Sequence, residues 1–104
     1  MLKVFSVYDN NKPLEELVKE EEFFGILYAN TRYFKPGEDE GVHSHENHLE
    51  VYIFFQGKGT AITENGDINV TRGDVLVFES GEGHGFESDN IDTLAYLCIG
   101  IRIK

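Results

Sequence analysis

Residues 37–57 read GEDEGVHSHENHLEVYIFFQG, and the placement of three side chains within them decides the fold. His43 and His45 are two positions apart, and residues i and i+2 of an extended strand project from the same face, so both imidazoles face one way. If the chain turns near Asn47 and returns, Glu50 meets them from the neighbouring strand. Two imidazoles and a carboxylate then converge inside a barrel. Beyond the turn, Tyr52 and Phe54 share the parity of Glu50 and point to the interior, where pocket lining and core filling are one job in so small a barrel. Val51, Ile53 and Phe55 face outward, and so apolar an outer face calls for cover by another sheet layer or a second subunit.

A second stretch, GDVLVFESGEGHGFES at 73–88, supplies His84 after a glycine-rich turn. Gly81, Gly83 and Gly85 permit backbone paths that a residue with a side chain resists. His84 is therefore a candidate fourth ligand, and Phe86, of the same parity, points inward with it.

Outward from these stretches the sequence breaks into short β-type runs: ILYANTRYF (26–34), TAITE (60–64), INVT (68–71), DVLVFE (74–79) and TLAYLCIGIRI (93–103), separated by Gly, Asn and Asp. This spacing predicts an all-β sandwich or barrel. Asn65-Gly66 predicts a two-residue hairpin turn with positive φ at both centres. Pro13 followed by LEELVKEEEFF, up to Gly25, places Leu14, Leu17 and Val18 on one side and predicts a short N-terminal helix. With 104 residues, residues 1–104 are expected to form a single domain.

Nineteen acidic against nine basic residues give a net charge of −10, which repels phosphate backbones, so no nucleic-acid partner is expected. No apolar run reaches the length needed to cross a bilayer, so no membrane partner is expected either. The first residues lack the features of a secretory signal, and the cytoplasm is the expected location. The lone Cys98 builds neither a disulfide framework nor a thiolate cluster and reads as a small buried hydrophobe, so any metal must rest on nitrogen and oxygen.

The two stretches together resemble the motifs of the cupin superfamily, in particular its small single-domain members. The first motif, G-x5-H-x-H-x4-E-x6-G, is matched at every defined position by Gly37, His43, His45, Glu50 and Gly57. The second, G-x5-P-x-G-x2-H-x3-N, is matched by Gly73, Gly81 and His84, with Glu79 in place of the proline and Ser88 in place of the asparagine. The resemblance spans about half the chain. It implies a jelly-roll-like β-barrel of six or more strands, with one divalent ion held by His43, His45, Glu50 and His84 and substrates entering through the barrel mouth.

Three imidazoles and a carboxylate suit iron, manganese, nickel, cobalt or zinc without choosing among them. A tetrahedral zinc would leave no position open, whereas an octahedral ion keeps two for water, dioxygen or a bidentate ligand. The expected ligand is a small oxygenated metabolite whose two oxygens chelate the ion, and the expected reaction is of dioxygenase, isomerase or lyase type. A non-catalytic small-molecule or sugar binding module is the alternative. Arg32, with the parity of Phe34, is a carboxylate anchor if it points inward and a surface ion-pair residue otherwise. Arg32, Tyr52, Phe54 and Phe86 are the candidate substrate-binding residues. His48 reads as a rim histidine, or as one supporting the ligands from behind, and not as a ligand. The apolar outer faces and N-terminal MLKVFSVY make a homodimer the expected assembly.

Overall fold

Glu50, Tyr52 and Phe54 are 4%, 1% and 0% exposed, while Val51 and Ile53 between them are only half-buried. That alternation is the signature of a strand with one face in the core, and it recurs through the chain. The computed structural model describes residues 13–18 and 25–103. Among these are nine strands: β1 (Leu14–Val18), β2 (Ile26–Tyr33), β3 (Asp39–His43), β4 (His48–Gln56), β5 (Lys58–Thr63), β6 (Gly66–Thr71), β7 (Val75–Phe78), β8 (His84–Ser88) and β9 (Ala95–Arg102). They form two antiparallel sheets, ordered β1-β2-β9-β4-β7 and β3-β8-β5-β6.

Between the sheets lies one core of Phe34, Tyr52, Phe54, Ala61, Val70, Phe78, Phe86, Leu94, Tyr96 and Cys98. Phe86 from the smaller sheet meets Tyr52, Phe54 and Tyr96 of the larger at centroid separations of 4.7, 5.5 and 5.6 Å. Contacts of this kind add roughly 0.5–1.5 kcal/mol per aromatic pair beyond area burial. On the far side of the larger sheet Val75 and Val77 are 58% and 54% exposed.

Since β9 pairs with both β2 and β4, the inner face of the larger sheet is ruled into rows. One row holds Tyr28, Gly100 and Glu50, the next Asn30, Cys98 and Tyr52, the third Arg32, Tyr96 and Phe54. The site is built on these three rows.

Two expectations change. Leu14–Val18, the described part of the expected N-terminal helix, is a strand paired with β2 from Leu14↔Arg32 to Val18↔Ala29. Pairing with a neighbour supplies hydrogen bonds that outweigh a weak local helix preference. The rest of that expected helix, 19–24, lies outside the described residues. The Asn65-Gly66 hairpin forms between β5 and β6, but its two loop residues are Glu64 and Asn65, and Gly66 at φ 110° already pairs with Thr63. Asn65 keeps a negative φ. Thr63 Oγ1 accepts from Asn65 N–H and donates to Gly66 O, so side-chain bonding favours a common turn followed by a left-handed glycine over the mirror-image turn.

Candidate metal centre

Strand pairing brings the four candidate ligands together. His43 on β3 stands opposite His84 on β8, with ring centroids 4.5 Å apart. β3 and β8 approach closely at Gly85, where a Cβ would lie 2.8 Å from Glu40 O. The loop after β3 turns at Asn47, φ 70°. It is tied to the loop before β8 by Asn47 N–H to Ser80 Oγ (3.0 Å) and Gly81 N–H to His45 O (2.7 Å). These bonds hold His45 beside His84. Glu50 follows on β4, but β4 belongs to the other sheet, so the carboxylate meets the histidines across the sandwich and not from a neighbouring strand as the sequence suggested.

One donor atom from each of His43, His45, Glu50 and His84 lies within 4.8 Å of all the others. Two ligands across one ion are separated by about 4.2 Å at bond lengths near 2.1 Å, so a small contraction closes the set. His43 Nδ1 is 3.1 Å from Gly41 O and His84 Nδ1 is 3.0 Å from Glu82 O. Each ring donates its Nδ1–H to a carbonyl, which leaves an Nε2 lone pair for the centre and fixes the ring's orientation. In His84 that Nε2 sits 2.8 Å from Glu50 Oε1. A lone pair facing a carboxylate oxygen at this distance calls for a cation or proton between them, and a metal ion meets that need for all three histidines at once.

The two oxygens of Glu50 have separate surroundings. Oε1 faces His84, His45 Nε2 (3.3 Å) and Tyr52 OH (3.0 Å). Oε2 accepts from Tyr28 OH and from Cys98 Sγ at 3.4 Å. Burial alone would raise the Glu50 carboxyl, but a proton shared with His84 Nε2 in the absence of a metal ion, hydrogen bonds from Tyr28 and Tyr52, and His45 nearby outweigh it and hold the group at about 2. Burial lowers His45, with Glu50 partly opposing, so that ring stays neutral and able to ligate. Burial also pushes Tyr28, Tyr52, Tyr96 and Cys98 up, and all four are neutral near pH 7.

Tyr28 is the residue that sequence reasoning missed. It lies opposite Gly100, as Glu50 does from the other side, and a Cβ at Gly100 would sit 2.4 Å from the Tyr28 ring. The absent side chain lets the phenol cross to Glu50, and a glycine inside the β-run CIGIRI was the available signal. His48 Nε2–H donates to the Tyr28 oxygen at 3.0 Å, so His48 steadies the phenol that in turn donates to the candidate ligand Glu50.

The four-residue group opens on a cavity of about 260 Å³ lined by Leu14, Tyr28, Asn30, Arg32, Glu40, Tyr52, Tyr96 and Cys98 together with His43, His45 and Glu50. Of the candidate substrate-binding residues, Arg32 and Tyr52 line it. Phe54 and Phe86 are fully buried in the core and do not. Arg32 is both inward and paired: Nη1 is 3.1 Å from Glu40 Oε2, and the guanidinium lies 4.4 Å over Phe34.

The family model for the cupin domain matches residues 31–100, about two thirds of the chain. The protein is a cupin. This cupin is 33% identical over 77 residues to an oxalate-binding protein of Thermotoga maritima, covering 74% of the chain and 63% of that relative's length. It therefore spans less than two thirds of the curated relative it matches. Among solved structures it resembles a predicted oxalate decarboxylase of Thermotoga maritima at a TM-score of 0.82 and 26% identity, over 86% of this chain and 79% of the other. A cupin protein of Bacteroides fragilis has the same TM-score at 22% identity, over 97% and 84%, and that likeness concerns the fold alone.

Proposed function

We propose that this cupin holds one divalent metal ion on His43, His45, Glu50 and His84 and uses it to take up a small carboxylate metabolite through two oxygens, as a metal-dependent enzyme of lyase or oxygenase type. The observation that carries this reading is the position of the four donors: His43, His45 and Glu50 form part of the wall of a cavity, and the buried His84 stands directly against Glu50, so the group borders open space. When bound, the ion would polarise the metabolite's oxygens as a Lewis acid and offer open positions for them.

The chain's own residues do the rest. Tyr28 and Cys98 occupy Oε2 of Glu50, leaving Oε1 to face the histidines. Tyr52 donates to that same Oε1 and steadies it. A volume below the roughly 300 Å³ at which drug-sized pockets begin restricts entry to small metabolites. The oxalate named for two relatives supports a carboxylate as the ligand's class.

The test is turnover and binding together: carbon dioxide release and oxygen uptake by the iron- or manganese-loaded protein with small carboxylates, beside calorimetric titration of the same compounds. Turnover supports the enzyme. Saturable binding without turnover selects the second reading, a binding module, which the printed name of the oxalate-binding relative favours. Binding of none refutes both. We also infer a homodimer, for which the exposed Val75 and Val77 are the support and light scattering the check.

A further inference from the structure

The cavity's charges lie in a pattern that the metal ligands alone do not require. Among the described residues lining it, the charged groups other than histidine are Glu50, Glu40 and Arg32. The cation among them is already engaged. Arg32 Nη1 is 3.1 Å from Glu40 Oε2 and Nη2 is 3.9 Å from Glu38 Oε2, while Tyr96 OH lies 3.0 and 3.3 Å from the two Glu40 oxygens. Glu40 is thus fixed in the wall by two donors. An incoming carboxylate that sought Arg32 would have to displace Glu40 or share the guanidinium with it.

Taking the reading above as given, a divalent ion with neutral imidazoles, Glu50, Glu40 and Arg32 leaves the cavity at a net charge of +1. A monoanion neutralises it. A dianion leaves an uncompensated negative charge beside Glu40 in a partly desolvated space, which is costly. The cavity lining also presents hydrogen-bonding partners, the Glu40 carboxylate, which suits a hydroxyl, and the Asn30 amide, which suits a hydroxyl or carbonyl, and a second carboxylate would meet Glu40 unfavourably.

We propose that Glu40 is a specificity-determining residue that, by occupying Arg32, restricts this site to chelating monoanions of the α-hydroxy or α-keto monocarboxylate class and disfavours dicarboxylate dianions. The proposal departs from the oxalate named for the relatives and depends on the metal-binding reading above. Its signal in the sequence is slight: Glu40 is one acidic residue within GEDEGVH, and only the fold turns it toward Arg32.

The experiment uses the full chain loaded with cobalt(II) and follows the visible spectrum of the ion during titration with oxalate and with glycolate, after elemental analysis of each variant. The quantity read is the ratio of oxalate to glycolate affinity. In the wild type it falls below the ratio for the free aqueous ion. Glu40→Gln raises it roughly tenfold or more, since one negative charge is removed at close range, and Glu40→Asp, which keeps the charge, stays with the wild type. Arg32→Gln moves the ratio the opposite way, so the proposal stays testable if either variant folds poorly. A ratio that is unchanged in both Glu40→Gln and Arg32→Gln overturns the role of Glu40 while leaving the metal site standing. Failure of both ligands to perturb the spectrum overturns the role of Glu40 together with the carboxylate reading.

Discussion

Replacing Tyr28 with Phe removes one oxygen from the site and leaves the ring. In the wild type that hydroxyl donates to Glu50 Oε2 and accepts from His48 Nε2, and Glu50 is 4% exposed. A hydrogen bond to a charged group contributes about 1.5–3 kcal/mol. His48 is half-exposed and can turn to water, whereas Oε2 keeps only the weak Cys98 Sγ donor, so the loss falls on the carboxylate. The metal-free variant should unfold about 1.5–3 kcal/mol more easily than the metal-free wild type at pH 7. Since 1.36 kcal/mol corresponds to one pKa unit, Glu50 should rise by about one to two units from its present value. Its carboxyl is depressed from 4.5 to about 2, so its ionised form contributes stability that is complete above 4.5 and disappears as pH falls towards 2. The gap between wild type and variant should therefore be constant from pH 7 to 5 and narrow as pH drops below 4. Guanidinium unfolding across that range, with chelator present, measures it. A gap below about 0.5 kcal/mol at pH 7, or one that widens in acid, would refute the assigned role of Tyr28.

Gly100→Ala should reproduce the effect without touching the phenol, because its Cβ meets the Tyr28 ring at 2.4–2.8 Å; metal affinity should fall about 10–100-fold, as measured by competition with a chromophoric chelator. Phe54→Ala, at a fully buried position, should cost about 3–5 kcal/mol in thermal or chemical unfolding, and a loss under 1 kcal/mol would contradict its place in the core. Metal release on acidification is governed by the imidazoles, since Glu50 stays ionised to about 2 and burial lowers His45. Protein-bound metal followed by elemental analysis should have a release midpoint below the free-imidazole value of about 6.5, and a midpoint above it would count against these ligands.

The site was legible in the sequence to the extent that strand periodicity governs it. His43, Tyr52 and Phe54 point where a period of two sends them, whereas His45 lies in the loop past β3 and is placed by that loop's bonds to the loop before β8. The chain turns at Asn47, which tolerates φ 70°, and brings Glu50 to the histidines from the opposite sheet. What was hidden depends on neighbours distant in the chain. Tyr28 and Gly100 share a row only because β9 pairs with β2, and no local pattern announces that pairing. Glu40 looked like one more solvated acid until Arg32 and Tyr96 were seen against it. The stretch 14–18 carried a helical spacing of apolar residues, yet the open edge of β2 recruits it as a strand. At Asn65-Gly66 the dipeptide marked the hairpin correctly, while the hydroxyl of Thr63 chose the turn by bonding both sides of the loop.

The account stands on one cation shared by side chains from β3, β4, β8 and the loop between the first two. Elemental analysis of protein purified without added metal, wild type beside His45→Ala, tests it most directly, since His45 is half-exposed and its truncation leaves the core intact. One divalent ion per chain in the wild type and a large loss in the variant is the predicted result. Equal metal in the two, or none in the wild type even after loading, would contradict it.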